Sequence, residues 1–197
     1  MFDALFTTTT EYKKLSHALS GKGACALFGL PASGRAQVYA ALCRQLDKPL
    51  CIVTPGEAEA TRFAADLNTL GIPAAVFPAR DYVLRPIEGT AREYEYRRLA
   101  VLGELVGGRL RAVAVPAEAL TQFTTPKEDF CANTRTLHAG DTLLRDDLLA
   151  ALFGAGYTRR AQVDGPGQFS VRGDIVDIFA PDQKMPVRME FWGDEID

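Results

Sequence analysis

Phe28-Gly29-Leu30-Pro31-Ala32-Ser33-Gly34-Arg35-Ala36 follows an apolar run over residues 24–28 and leads into a helical pattern that extends to Leu46. Strand, glycine turn and helix in that order, with Gly29 and Gly34 spaced as in G-x-x-x-x-G-K-[ST], give the outline of a phosphate-binding loop. The two chemically active positions depart from it. Arg35 stands where a lysine ammonium would reach the β- and γ-phosphates, and its longer planar fork does not replace a compact point charge in a tight loop. Ala36 stands where a hydroxyl would hold Mg²⁺, and it has no oxygen to offer. The stretch reads as a nucleotide-hydrolase scaffold without its hydrolase: Gly29, Gly34, Arg35 and Ala36 are vestigial, with no catalytic or cofactor-binding role. Two other accounts stay open on the loop alone. A glycine turn joins strand to helix in any α/β protein, and backbone N–H groups at a helix N-terminus attract anions whatever the side chains are.

Outward from the loop, strands alternate with helices. Thr8-Thr9-Thr10-Glu11 has capping-box spacing ahead of Tyr12, Leu15, Ala18 and Leu19, which recur at helical intervals up to Gly21. After the loop and its helix, residues 50–53 form a short apolar strand. Thr54-Pro55-Gly56-Glu57 is a second capping box, with proline at the first helical position, opening a helix to Leu70 with Gly71 as its stop. Residues 74–77 make the next strand and residues 80–89 a polar loop. Thr90 and Glu93 cap a helix over residues 91–106, followed by a strand at 111–115 and a short helix at 116–123. Strands with little polar alternation, separated by helices, predict a parallel sheet covered on both faces.

Near Thr124-Thr125-Pro126 the texture changes, which places a domain boundary between residues 124 and 125. Leu143, Leu144, Leu148, Leu149 and Leu152 predict one amphipathic helix ending at Gly154 or Gly156. Beyond it the period becomes two. Phe169 and Val171 alternate with Gln168, Ser170 and Arg172; Val187, Met189 and Phe191 alternate with Arg188, Glu190 and Trp192. Glycine, proline and aspartate turns separate the runs. The fold class is α/β: a degenerate P-loop-like domain with a parallel sheet (1–124), then a small α+β domain with an antiparallel sheet (125–197), one face apolar and one polar.

Composition sets the outer bounds. The 197 residues are 47% hydrophobic and 24% charged, enough for one large or two small cores. A net charge of -3 argues against wholesale nucleic-acid binding. No apolar run reaches membrane-spanning length and the N-terminus lacks the features of a signal peptide, so a cytoplasmic protein is expected. Cys25, Cys43, Cys51 and Cys131 show no C-x-x-C pair. Cys25 and Cys51 lie in apolar strand candidates, so buried free thiols and no metal site are expected. His17 and His138 are isolated.

Asp174, Asp177, Glu190, Asp194, Glu195 and Asp197 read as turn and surface carboxylates. The arginines carry more. Arg159 and Arg160 open a strand after Gly156-Tyr157, and Arg172 and Arg188 hold the polar parity of later strands. Such a face suits an acidic protein surface, because guanidinium forks pair well with carboxylates. On spacing alone, a solvated face explains the same residues.

Gly156-Tyr157-x-Arg159, then Gly167-Gln168-Phe169-Ser170-Val171-Arg172-Gly173-Asp174-Ile175-Val176-Asp177-Ile178-Phe179, then Val187-Arg188-Met189-Glu190-Phe191-Trp192-Gly193-Asp194-Glu195-Ile196-Asp197 closely resemble a signature shared by UvrB and the transcription-repair coupling factor Mfd. Thr54-Pro55-x-Glu57-Ala58-Glu59, Phe77-Pro78 and the helix over 95–105 are similar to the same group in the N-terminal half. UvrB keeps a lysine and a hydroxyl in its P-loop and carries a long aromatic-rich hairpin that clamps DNA. The segment 77–90 is too short for that hairpin, and Arg35-Ala36 replace the pair, so the resemblance is to the N-terminal UvrB-like region of the coupling factors.

The resemblance implies a recruitment function without catalysis: a module that docks UvrA where RNA polymerase has stalled, for nucleotide excision repair. Carried over by motif position, the UvrA-binding residues are Arg159 and Arg172, with Phe179 as an apolar neighbour. No cofactor or metal is implied for this segment. ATP and Mg²⁺, RNA polymerase and double-stranded DNA belong to further domains of the family's full-length members, and no membrane is involved. The alternative is a UvrB-like or helicase-like ATPase fragment acting directly on damaged DNA.

Overall fold

In the computed structural model, which describes residues 7–21, 24–46, 48–80 and 92–197, helix α1 (Thr10–Ser20) begins where the hydroxyl of Thr9 accepts from the Tyr12 N–H at 3.3 Å. The apolar run that follows is not the strand its composition predicts. Residues 24–28 pair with no strand among the described residues and are exposed, Phe28 at 87%. A run this short takes strand geometry only from a ladder partner. The glycine turn is present, with Gly29 at φ +82°, but α2 (Ala32–Leu46) starts at Ala32 rather than Ala36. Pro31 has a fixed φ compatible with the entry to a helix, and its carbonyl accepts from the Arg35 N–H at 3.1 Å.

Strand β1 (Leu50–Thr54) leads to α3 (Glu57–Thr69) and β2 (Ala74–Val76); α4 (Arg92–Val106), β3 (Ala112–Pro116) and α5 (Ala117–Leu120) follow. The sheet is parallel in the order β1-β3-β2, with Ile52 and Val76 both in register with Ala114. Thr54 does not cap α3. It is the buried end of β1, its hydroxyl donates to the Gly56 carbonyl at 2.9 Å, and α3 starts at Glu57 without a side-chain cap. Ala36, Ala40 and Cys43 of α2, Ala60, Phe63 and Leu67 of α3, and Ile52, Ala112 and Ala114 of the sheet form one core. β3 is buried throughout, but Cys51 and Val53 of β1 are exposed, so the predicted cover on both faces fails at β1. The expected burial of Cys25 and Cys51 fails too: both are exposed free thiols, and Cys43 is buried.

The chain divides into two compact units, Met1–Arg80 with Glu104–Gln122 and Asp81–Gly103 with Phe123–Asp197. In the second, Arg98 of α4 is 5% exposed and donates to the Thr124 hydroxyl at 2.9 Å, so a residue of mixed-charge appearance in sequence is a buried, hydrogen-bonded tie. Helix α6 (Lys127–Ala132) had no clear sequence signal. Helix α7 (Arg145–Gly154) packs Leu148 and Leu152 against Phe169, Val176, Ile178, Met189, Phe191 and Ile196. Its start at Arg145 leaves Leu143 and Leu144 outside: the Leu143 N–H donates to the Asp194 carbonyl at 2.7 Å, which commits that backbone to sheet-like pairing.

Five strands, β4 (Thr158–Arg159), β5 (Gln168–Arg172), β6 (Ile175–Phe179), β7 (Val187–Trp192) and β8 (Glu195–Ile196), pair in chain order. β5 to β8 are antiparallel as expected, but β4 runs parallel to β5, so the sheet is mixed. The reason is the connection through Gly165-Pro166-Gly167, which brings the chain back in the same direction, with Gly167 at φ +72°. The predicted loop over residues 80–89 and the Thr90 cap lie largely outside the described residues. Among the described residues no helix is long and apolar enough to cross a membrane.

Candidate functional site

The glycine turn and the polar face of the mixed sheet are the two places where the sequence points to function. At the turn, early entry into α2 puts Gly34, Arg35 and Ala36 within the helix, not in a loop cradle. A Cβ on Gly34 would meet the Pro31 ring at 3.3 Å. Arg35 lies 3.6 Å from the Glu59 carboxylate of α3. Ala36 is 2% exposed and belongs to the core cluster of α2, α3 and the sheet. At the hydroxyl position of the motif, the side chain therefore faces apolar packing. Loop and helix together offer a ligand the backbone of a proline-led helix entrance and an arginine with a carboxylate beside it.

The mixed sheet builds its polar face by register. Phe169, Val176, Met189 and Phe191 point into the core, so the alternate residues point away from it. Ser170 pairs with Asp177, and Asp177 with Arg188, across β5, β6 and β7. The Arg188 guanidinium donates to both Asp177 oxygens, Nε to Oδ1 at 2.7 Å and Nη2 to Oδ2 at 3.1 Å, and the Ser170 hydroxyl donates to Oδ2 at 3.3 Å. These bonds, chiefly the one from Arg188, hold the Asp177 carboxyl below the usual carboxylate range against the opposing effect of burial. One strand pair further along, Arg172 donates to the Ala161 carbonyl at 2.9 Å. No carboxylate lies within ion-pair reach of Arg172 among the described residues.

A cleft of about 510 Å³ opens on this face, lined by Arg172, Asp177 and Arg188 with Gln162, Val163 and Pro186. Its charged lining is two guanidinium groups and one carboxylate, and that carboxylate is engaged by Arg188. Arg172 supplies the remaining positive charge. The cleft can accept one carboxylate or a comparable small anion, and it holds Arg172 in place with a neutral partner.

Of the residues carried over by resemblance, the cleft contains Arg172. Phe179 lies on the same parity as Asp177, at the end of β6, and is half-buried. Arg159 is exposed on the edge strand β4, where it is in register with Phe169, so its parity is that of the core-facing residues and its exposure comes from the sheet's margin. Asp177 and Ser170 were not among the site residues read from sequence, although lining up the alternate residues of the three strands would have found both. The carboxylates disperse: Asp174 is 3.0 Å from Arg145 Nη1, Glu190 stands on β7 and Glu195 on β8.

Residues 136–197 match the UvrB interaction domain family. The chain is 30% identical over 173 residues to the transcription-repair-coupling factor of Bacillus subtilis, which covers 87% of this chain and 15% of that protein. It is 39% identical over 174 residues to that of Mycobacterium tuberculosis, covering 84% of this chain and 14% of the relative. It is 27% identical over 186 residues to the UvrABC system protein B of Chlorobium limicola, covering 87% of this chain and 27% of the relative. The chain thus spans about a seventh of the coupling factors and about a quarter of the UvrABC protein it matches. Its last third matches the UvrB interaction domain family, and over most of its length the chain is similar to the transcription-repair-coupling factors and to the UvrABC system protein B.

Proposed function

We propose that this chain is a non-catalytic docking module of a transcription-repair coupling factor, and that its mixed-sheet domain, residues 125–197, recruits UvrA to sites where RNA polymerase has stalled. The observation that carries the reading is Arg172: an exposed guanidinium on a cleft wall, positioned by the Ala161 carbonyl and without a carboxylate partner of its own. Arginine is enriched at interface hot spots because its fork can take a carboxylate in two bonds. Arg159 at the sheet margin and Phe179 at the end of β6 widen the surface around it, and the three act together as the UvrA-binding residues.

The burial of Ala36 and the pairing of Arg35 with Glu59 support a module that neither binds nor hydrolyses nucleotide. In the complete protein, ATP with Mg²⁺, RNA polymerase and double-stranded DNA are the business of other domains. The test is binding of purified UvrA to the 197-residue chain. Arg172→Ala should lose about 2 kcal/mol or more of binding with an unchanged melting temperature; equal retention of UvrA by variant and parent would refute the assignment.

A further inference from the structure

We infer that Trp192 is the apolar anchor of the same docking face, entering a pocket on UvrA that lies beside the carboxylate taken by Arg172. The inference rests on the docking reading above. Strand β7 alternates strictly at this end: Met189 and Phe191 go into the core, while Arg188, Glu190 and Trp192 stand on the face that carries the cleft. Trp192 is 75% exposed. The fold does not need it there, because Phe191 and Ile196 close the core at that end of the sheet.

The charges on this face explain why an apolar anchor is required. Asp177 engages Arg188, and Glu190 is the next outward residue on β7, so of the two arginines that line the cleft Arg172 is the one with no carboxylate in ion-pair reach among the described residues. A hot-spot arginine holds a partner best when large apolar side chains beside it keep water away from the charged pair. Tight binding comes from large side chains that lose water on docking, and tryptophan offers the most area for little loss of conformational freedom. Phe179 is already half-buried and has less to contribute. Arg172 lies in the row of Ile175 and Glu190, so Trp192 stands two strands across and two residues along from it, about 12 Å away, and the partner surface combines an apolar pocket with a carboxylate at about that spacing. Glu190, between them, disfavours a second carboxylate from the partner at that spot.

The chain has one tryptophan, so labelling with 5-fluorotryptophan gives a single ¹⁹F signal from this site. In the free chain that signal should show the H₂O/D₂O isotope shift of an exposed indole, and saturating unlabelled UvrA should abolish it. Trp192→Ala should weaken UvrA binding about thirtyfold, Trp192→Phe should keep most of it, and both should melt with the parent. A retained isotope shift in the complex, or equal binding by Trp192→Ala while Arg172→Ala loses it, overturns the anchor and leaves the docking module standing. Failure of the parent chain to bind UvrA overturns both.

Discussion

Tyr96 closes over Gly167. A Cβ built on that glycine would lie 2.8 Å from Tyr96 Cε1 and nearer still to the hydroxyl, on a backbone at φ +72°. Helix α4 and the turn before β5 meet here through the hydroxyl end of the Tyr96 side chain set against bare backbone, while the Gly167 N–H donates to the Phe179 carbonyl at 2.8 Å. Gly167→Ala adds both a strained backbone and an overpacked contact, and should destabilise the chain by about 2–4 kcal/mol. Adding Tyr96→Ala should recover about 1 kcal/mol of that loss, because the steric part is shared by the pair. Urea melts of the four proteins measure the coupling; strict additivity would refute the contact.

Asp177 should titrate below free aspartate, with the bond from Arg188 as the largest cause. Its folded pKa is depressed, so its contribution to stability is present above the unfolded value of about 3.9 and is lost as pH falls through the lower, folded one. Carboxyl ¹³C shifts followed from pH 6 to pH 2 should place its midpoint beneath the free-aspartate value of about 3.9. Arg188→Met should bring it back toward that value. An unchanged midpoint in that variant would show that the fork is not the cause.

Tyr157 shows the opposite sign. Burial, with added repulsion from Asp182 and Tyr96, pushes its hydroxyl up to about 12. A raised folded pKa means that stability is complete below the unfolded value of about 10 and falls as pH rises from there through 12. Tyr157→Phe should therefore lose less stability than the parent between pH 10 and pH 12. Parallel alkaline profiles for the two proteins would contradict the assignment.

Ala36→Ser should cost about 1–2 kcal/mol, since it introduces a hydroxyl at a position 2% exposed and gives up some helix propensity. The double change Arg35→Lys with Ala36→Ser should acquire no Mg²⁺-ATP binding detectable by calorimetry, because α2 already starts at Ala32 and the turn lacks the loop length of a phosphate cradle. Micromolar heats from the double variant would show that the turn can open.

Much of the mixed-sheet unit was legible from alternation. Period two along residues 168–172 and 187–192 sorts core from polar face residue by residue, and the structure places Phe169, Met189 and Phe191 inside as that pattern requires. The leucine helix was legible for the same reason, except at Leu143 and Leu144, where apolar spacing does not distinguish a helix start from backbone paired with β8. The run over residues 24–28 was misread because apolar content signals burial without supplying a partner, and the same error assigned Cys25 and Cys51 to the interior. The burial of Arg98 is not legible because Arg92, Arg97 and Arg98 interleaved with Glu93 and Glu95 read as a helix of mixed surface charge, and its partner Thr124 lies beyond an intervening strand and helix. At the cleft, Arg172 and Arg188 could be placed on one face from spacing. The engagement of Arg188 by Asp177 could not, since it depends on the register between β6 and β7.

The packing of Ala36 bears on history as well as on chemistry. Where a side chain has become part of the wall between two helices and a sheet, placing an alcohol there disturbs the wall before it offers any ligand an oxygen. Building a phosphate cradle at this turn would require lengthening the turn, shortening the helix and loosening the interior together, and each change made singly would be penalised. A segment in that position is ratcheted: its exposed positions stay free to vary, while the route toward nucleotide chemistry at this turn stays closed.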